Sequence, residues 1–312
     1  MAASSVSALQ ALGKETMPGC AGTAVAGLLT GPPRPGRVAV CGRYAAYLSP
    51  PGRTEVILAI CASDAVRVPF GLRLGMPAAY APLAGVRAGD PVTLGDGAVS
   101  AGTLRVRVSR WWSARPAVGP ITDHDLASWA GALRQTGENG GRAPGLGDND
   151  PGLLRFAGAL ADGDARRALA AARGLLGRGP GSTPSGDDVM GSALAALHVL
   201  APSHPAAAAL WASCGAPVAA AVTACAGGRT TPVSAALLMH AAHGEVAGEL
   251  ADVLRCASGA GHDTGPARAA AQRLLRIGHS SGADCLQGIT AAAAALHAAG
   301  IPGLRAERPG SE

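Results

Sequence analysis

Hydrophobic and polar positions change rhythm once along this chain. Between about Gly36 and Arg110 the apolar residues fall in short β-prone runs divided by Pro and Gly: Arg37-Val38-Ala39-Val40, then Glu55 to Ile60, then Val66 to Leu74. Thr103 to Val108 alternates, which sends Leu104, Val106 and Val108 to one face and Arg105 and Arg107 to the other. Gly95-Asp96-Gly97 between two such runs is a hairpin signal. Strands this short and evenly spaced predict an antiparallel sheet or small barrel.

After Pro151 the apolar positions recur at helix period. Leu153–Leu160, Asp164–Leu176, Gly186–Leu200, Pro205–Ala226, Pro232–Ala242, Val246–Ala257, Pro266–Ile277 and Gly282–Ala299 each read as helices, with Gly or Pro at their ends. Asp123 to Gln135 reads as one more, and Gly137 to Gly152 as a long loop able to serve as a lid. The fold class is therefore α+β, an N-terminal sheet or barrel followed by an alanine-rich helical domain. The expected divisions are a flexible lead-in over 1–21, a β-rich domain over 22–120, a helical anion-binding domain over 121–304 and a disordered tail over 305–312. Trp111 and Trp112 close the β-rich part, where two large aromatics fill a seam more readily than they bind a ligand.

Composition narrows the chemistry. Of 312 residues 48% are hydrophobic but only 3% aromatic, so the core is built from Ala, Leu and Val. Lys14 is the only lysine among 26 basic residues, which leaves cationic work to arginine. The net charge of +5 permits a small anionic substrate, while scattered arginines without interleaved aromatics argue against nucleic acid. Seven widely spaced cysteines with no C-x-x-C pair suit a reduced cytoplasm, and no signal peptide is expected at the start. Val189 to Gly228 lacks any Asp, Glu, Lys or Arg, but Pro202, Pro205 and Pro217 interrupt it, so two buried helices are expected rather than a membrane span.

The chemistry concentrates at three helix starts. Gly177 to Gly191 runs GRGPGSTPSGDDVMG, a Gly-rich loop feeding a helix N-terminus, where backbone N–H groups and the helix dipole favour an anion. Gly181 and Gly186 have P-loop spacing, yet Asp187 and Asp188 stand where its lysine and hydroxyl belong. Arg229-Thr230-Thr231-Pro232 and His279-Ser280-Ser281-Gly282-Ala283-Asp284 precede two further helices. Each hydroxyl pair also reads as an ordinary cap: Thr231 with Pro232 at the first helical position, and Ser185 with Asp188 or Ser281 with Asp284 as capping boxes. If the three starts converge, they form an anion site from Gly179, Gly181, Ser182, Thr183, Ser185, Gly186, Arg229, Thr230, Thr231, Ser280, Ser281 and Gly282. With capping jobs open to Asp188 and Asp284, Asp187 is the carboxylate without a structural one. Asp187, His279, Asp188 and Asp284 are the candidate catalytic groups. The remaining histidines form no recognisable metal-ligand set, so no metal site is assigned and no cofactor is certain; Mg²⁺ held by Asp187 and Asp188, as in a metal-assisted hydrolase, is an alternative. A Ser-His-Asp hydrolase using Ser280 or Ser281 lacks the G-x-S-x-G elbow.

The blocks GRGPGSTPSGDDVMG, RTTPVSAALL and RIGHSSGADCLQG, in this order and at these separations, resemble those of a bacterial family long catalogued as a domain of unknown function. Its best-placed member is a subunit of oxamate carbamoyltransferase, the AllH type. The resemblance implies carbamoyl transfer from carbamoyl phosphate to oxamate, an oligomer and partner subunits. It further implies a phosphate at the helix starts, Arg229 on an anionic oxygen, and Asp187 or His279 handling the amide proton. Arg178, Ser182 and Ala283 depart from the family pattern, and those departures bear on the substrate.

Overall fold

The computed structural model describes residues 16–300. The chain forms two compact units that divide between Ala114 and Arg115. The first is a closed eight-stranded barrel in the order β1-β5-β4-β3-β2-β6-β7-β8. Its strands are β1 (Met17–Gly22), β2 (Arg34–Cys41), β3 (Ala45–Ser49), β4 (Leu58–Cys61), β5 (Gly71–Leu74), β6 (Pro91–Gly95), β7 (Ala98–Ala101) and β8 (Leu104–Trp112), with a short helix α1 (Ala26–Thr30) after β1. Leu48, Leu58, Ile60, Leu72, Leu94 and Val106 are fully buried inside it. Leu104 and Val106 do face inward and Arg105 and Arg107 outward, with Val108 half-buried. Asp96 and Gly97 both take positive φ, 49° and 73°, in the two-residue turn joining β6 to β7.

Two features depart from the expectation. The barrel is mixed, since β4 pairs with β5 and β1 pairs with β8 in parallel. Closure of the sheet, rather than hairpin connection, brings β1 and β8 together, and no local pattern encodes it. The lead-in proposed for 1–21 is also too long, because its last residues form β1, between β5 and β8. Met-Pro-Gly-Cys-Ala-Gly carries almost no β-branched or aromatic signature, which is why the strand escapes notice. Residues 1–15 of that lead-in and the tail from 305 lie outside the described residues.

The second unit is helical: α2 (Asp123–Asn139), α3 (Pro151–Asp162), α4 (Ala165–Leu175), α5 (Ser185–Leu200), α6 (Pro205–Leu210), α7 (Ala216–Ala226), α8 (Pro232–Ala242), α9 (Gly248–Arg255), α10 (Gly265–Leu274) and α11 (Ser281–Gly300). Thr122 and Asp125 form a capping box that starts α2, and Trp129 on its inner face is fully buried, its Nε1–H donating to Val253 O at 3.1 Å. At the centre lies α5, buried over nearly its whole length, with α11 packed along it. A helix apolar on every side belongs in the middle of a bundle, and Ala193, Ala195 and Ala196 keep its neighbours close.

The expected burial of Val189–Gly228 holds for α5 but not for the helical run after it. Pro205–Ala226, continuous through a π turn at Trp211–Gly215, is long and apolar enough by length and composition to cross a membrane, and 33% of its apolar window is buried. Ala208, Ala209, Ala212, Pro217, Ala220 and Ala224 leave an uncharged face exposed there.

Candidate functional site

The Gly-rich segment between α4 and α5 wraps around the first turn of α5. Gly177, Gly179 and Gly181 all have positive φ (75°, 119° and 93°), a path open to residues without Cβ. Pro184 occupies the N-cap position of α5 and offers no side-chain cap. The first α5 amides are nevertheless engaged: Gly186 N–H donates to Arg178 O at 2.9 Å, and Asp187 and Asp188 N–H donate to Pro184 O at 2.9 and 3.1 Å. The Ser185–Asp188 capping box is therefore absent.

On one side of this turn the loop is bolted to the start of α8. Asp187, 2% exposed, accepts from Gly177 N–H at 2.8 Å through Oδ1, and from the Ser234 hydroxyl at 2.7 Å and the Thr230 hydroxyl through Oδ2. Thr231 caps α8, taking Ser234 N–H at 3.1 Å, and its hydroxyl donates to Ser182 O at 2.5 Å. Both Asp187 oxygens thus have structural partners. The reading of Asp187 as the carboxylate without one is corrected: the fold uses both its oxygens to hold the loop. Ser234 was missed, although its spacing from Thr231 is that of a cap and its partner.

The other side meets α11 and is less complete. Thr183 Oγ1 and Ser281 Oγ are 2.9 Å apart, so the loop and the α11 start touch through hydroxyls. Asp188, half-buried beside them, has one oxygen, Oδ2, shut from solvent without a hydrogen-bond partner. Burial pushes its carboxyl up to about 8; the negative charges of Asp284 and Asp187 add to this, and the Ser281 and Thr183 hydroxyls pull the other way. Asp284 is fully buried and does not cap α11. Its Oδ1 accepts Gly145 N–H at 2.7 Å and Leu146 N–H at 3.5 Å, and its Oδ2 is also unpartnered. Burial and the same two carboxyls, Asp188 and Asp284, hold the Cys285 thiol well above its usual range.

The Gly145 and Leu146 contacts give the long loop a defined place. It is shorter than expected, since α2 continues to Asn139. Arg142 donates to Gly278 O at 2.5 Å, Gln287 reaches Asp148 at 2.9 Å, and Asp150 caps α3 while pairing with both Arg178 nitrogens. Gly145 lies so close to the helix starts that a Cβ there would sit 2.1 Å from Ser185 Oγ and 3.1 Å from Ser280 Oγ. No local signal in the sequence ties residue 145 to residue 284; the link exists only once α2, α3 and α11 pack.

Thr183, Thr230, Thr231, Ser182, Ser185, Ser280 and Ser281 are thus drawn to one region of the fold. Gly179 and Gly181 lie on the exposed loop. The Gly282 N–H donates to Ile277 O at 3.1 Å, an internal turn. Two expected members stand apart from the hydroxyl cluster. The Arg229 guanidinium donates to Arg173 O at 3.2 Å, at the C-terminal end of α4, where a cation meets unpaired carbonyls. His279 is exposed on the turn before α11, with no hydrogen bond to the cluster. Arg178, one of the departures from the family pattern, is held by Asp150. Among the described residues no group of three or more His, Cys, Asp or Glu is arranged to hold a metal ion.

Residues 175–293 match the family model described as oxamate carbamoyltransferase subunit AllH. Over that stretch the chain is AllH-like, and all three helix starts fall inside it. No curated protein and no solved structure matches the chain.

Proposed function

We propose that this chain, AllH-like from 175 to 293, serves as a subunit of a carbamoyltransferase. In this reading it binds carbamoyl phosphate or a related acyl phosphate, with a small acceptor such as oxamate, at Thr183, Asp188 and Ser281. The observation that carries the reading is the half-buried Asp188 carboxyl beside the touching Thr183 and Ser281 hydroxyls, within the matched stretch. A carboxyl raised to about 8 is largely protonated at neutral pH, so it donates a hydrogen bond without presenting a negative charge. Carbamoyl transfer develops negative charge on the carbamoyl oxygen as the acceptor nitrogen bonds to the carbamoyl carbon. The carbon–oxygen bond to phosphate breaks, phosphate leaves, and the acceptor nitrogen gives up a proton. A neutral acid beside a pair of hydroxyls suits that oxyanion.

A second reading has its own support. Arg142, Arg178 and Arg229 each have a partner, two of them backbone carbonyls and one Asp150, so the hydroxyl cluster has none of these cations to meet a phosphate. On that ground the chain binds ligand as a non-catalytic or scaffold subunit, and partner subunits complete the catalyst. Phosphate release from carbamoyl phosphate, measured with and without oxamate, separates the two. The full chain alone releases phosphate in an oxamate-dependent manner under the first reading, and only together with partner subunits under the second. No oxamate-dependent release in either setting, with no binding of carbamoyl phosphate, refutes both.

A further inference from the structure

Two buried carboxyl oxygens beside the hydroxyl pair have no hydrogen-bond partner. Asp188 Oδ2 and Asp284 Oδ2 are both shut from solvent, both lack a hydrogen-bond partner, and belong to helices whose starts touch through Thr183 and Ser281. Asp284 is fully buried and its other oxygen is fixed by Gly145 and Leu146 N–H, so its side chain cannot turn away to find water without releasing the loop. Native proteins leave few buried polar atoms unpaired, and each that remains calls for a reason, a catalytic role or a bound water or ion among them. The carboxyls also lie close enough to interact electrostatically. A phosphate dianion, all acceptor oxygens, gains nothing from Asp284 and is repelled by it. A group that offers an N–H beside a C=O satisfies both sides.

We infer that Asp284 and Asp188 together read a primary amide, the –C(=O)–NH2 end of a carbamoyl compound, with Asp284 Oδ2 accepting an N–H and the Asp188 carboxyl meeting the carbonyl oxygen. This rests on the carbamoyl-binding reading and refines it: the amide end enters against α5 and α11, and the phosphoryl or carboxylate end lies outward, toward Thr183 and the exposed loop. Asp284 is then the residue that sets specificity for unsubstituted nitrogen. Asp188 in its protonated state supplies the hydrogen that the carbonyl takes.

The test is titration calorimetry of the full chain with phosphonoacetamide, its N,N-dimethyl derivative and methylphosphonate. The unsubstituted amide is expected to bind at least tenfold tighter than the dimethyl derivative, which has the same charge and no N–H. Asp284→Asn retains an oxygen for Gly145 and Leu146 but places an NH2 group where Oδ2 was, and it is expected to erase the tenfold preference. The comparison of the three compounds on the unaltered chain stands whether or not that variant folds. Equal affinity for the amide and its dimethyl derivative overturns the inference. If methylphosphonate binds as tightly as both, the phosphoryl group alone is read, and the broader carbamoyl phosphate proposal survives. Failure of all three to bind also overturns it, and a saturable Mg²⁺ isotherm abolished in Asp284→Asn would reassign the pair to a cation and remove both proposals.

Discussion

The first turn of α5 has two sides that differ more than their sequences suggest. Toward α8, Asp187 gathers an amide and two hydroxyls and is finished. Toward α11, Asp188 and Asp284 each keep a buried oxygen without a partner, and one carboxyl is pushed up to about 8. Consecutive residues on a helix point about 100° apart, so two adjacent aspartates serve different neighbours. A carboxylate with its acceptors filled fixes the loop; the carboxyl beside it keeps a buried oxygen without a partner. The difference teaches that a carboxylate's role depends on how many of its acceptors the fold has already filled.

The largest effect that could break this contrast belongs to the satisfied side. Asp187→Ala strands Gly177 N–H and the Thr230 and Ser234 hydroxyls, and is expected to lower unfolding free energy by about 4 kcal/mol in a urea titration. A loss below about 1 kcal/mol would show that Asp187 is not the bolt.

A smaller effect, of opposite sign, belongs to Asp188. Its folded-state pKa is raised, so between about pH 4 and about pH 8 the folded chain keeps a proton that the unfolded chain releases. Stability therefore falls as pH climbs through that window and levels off above it. Asp188→Asn removes the titration. Its stability advantage over the unaltered chain is expected to grow across the window to roughly 3 kcal/mol, after discounting a half-buried group for solvent screening. An advantage that stays constant with pH would contradict the raised pKa. The smallest effect is expected at Arg229→Ala: with its guanidinium on Arg173 O, ligand affinity by calorimetry stays within about twofold and stability changes by about 0.5 kcal/mol.

Much of the scaffold was legible because punctuation is local. Pro232 to Ala242 forms a helix with the expected bounds, and Thr231 caps it as its type and position required. The Thr103 to Val108 alternation maps onto β8 for the same reason. The hidden parts depend on distant packing. The parallel β1–β8 pair joins the two ends of the barrel, and β1 lacks β-prone residues to announce itself. At the site, the sequence placed three hydroxyl-rich helix starts, and Thr183, Thr231 and Ser281 do come to one region. It divided the labour between Asp187 and Asp188 the wrong way round, since the partners that decide it, Ser234, Thr230 and Gly177 on one side and Asp284 on the other, arrive only with packing. It also could not show that the α5 amides turn inward to Arg178 and Pro184.

The most direct measurement tracks the Asp188 side-chain carboxyl ¹³C resonance from pH 4 to pH 10. A midpoint near 8 is predicted. A midpoint near 4, the ordinary range for an aspartate, would contradict the claim that the α11 side holds a neutral acid at working pH.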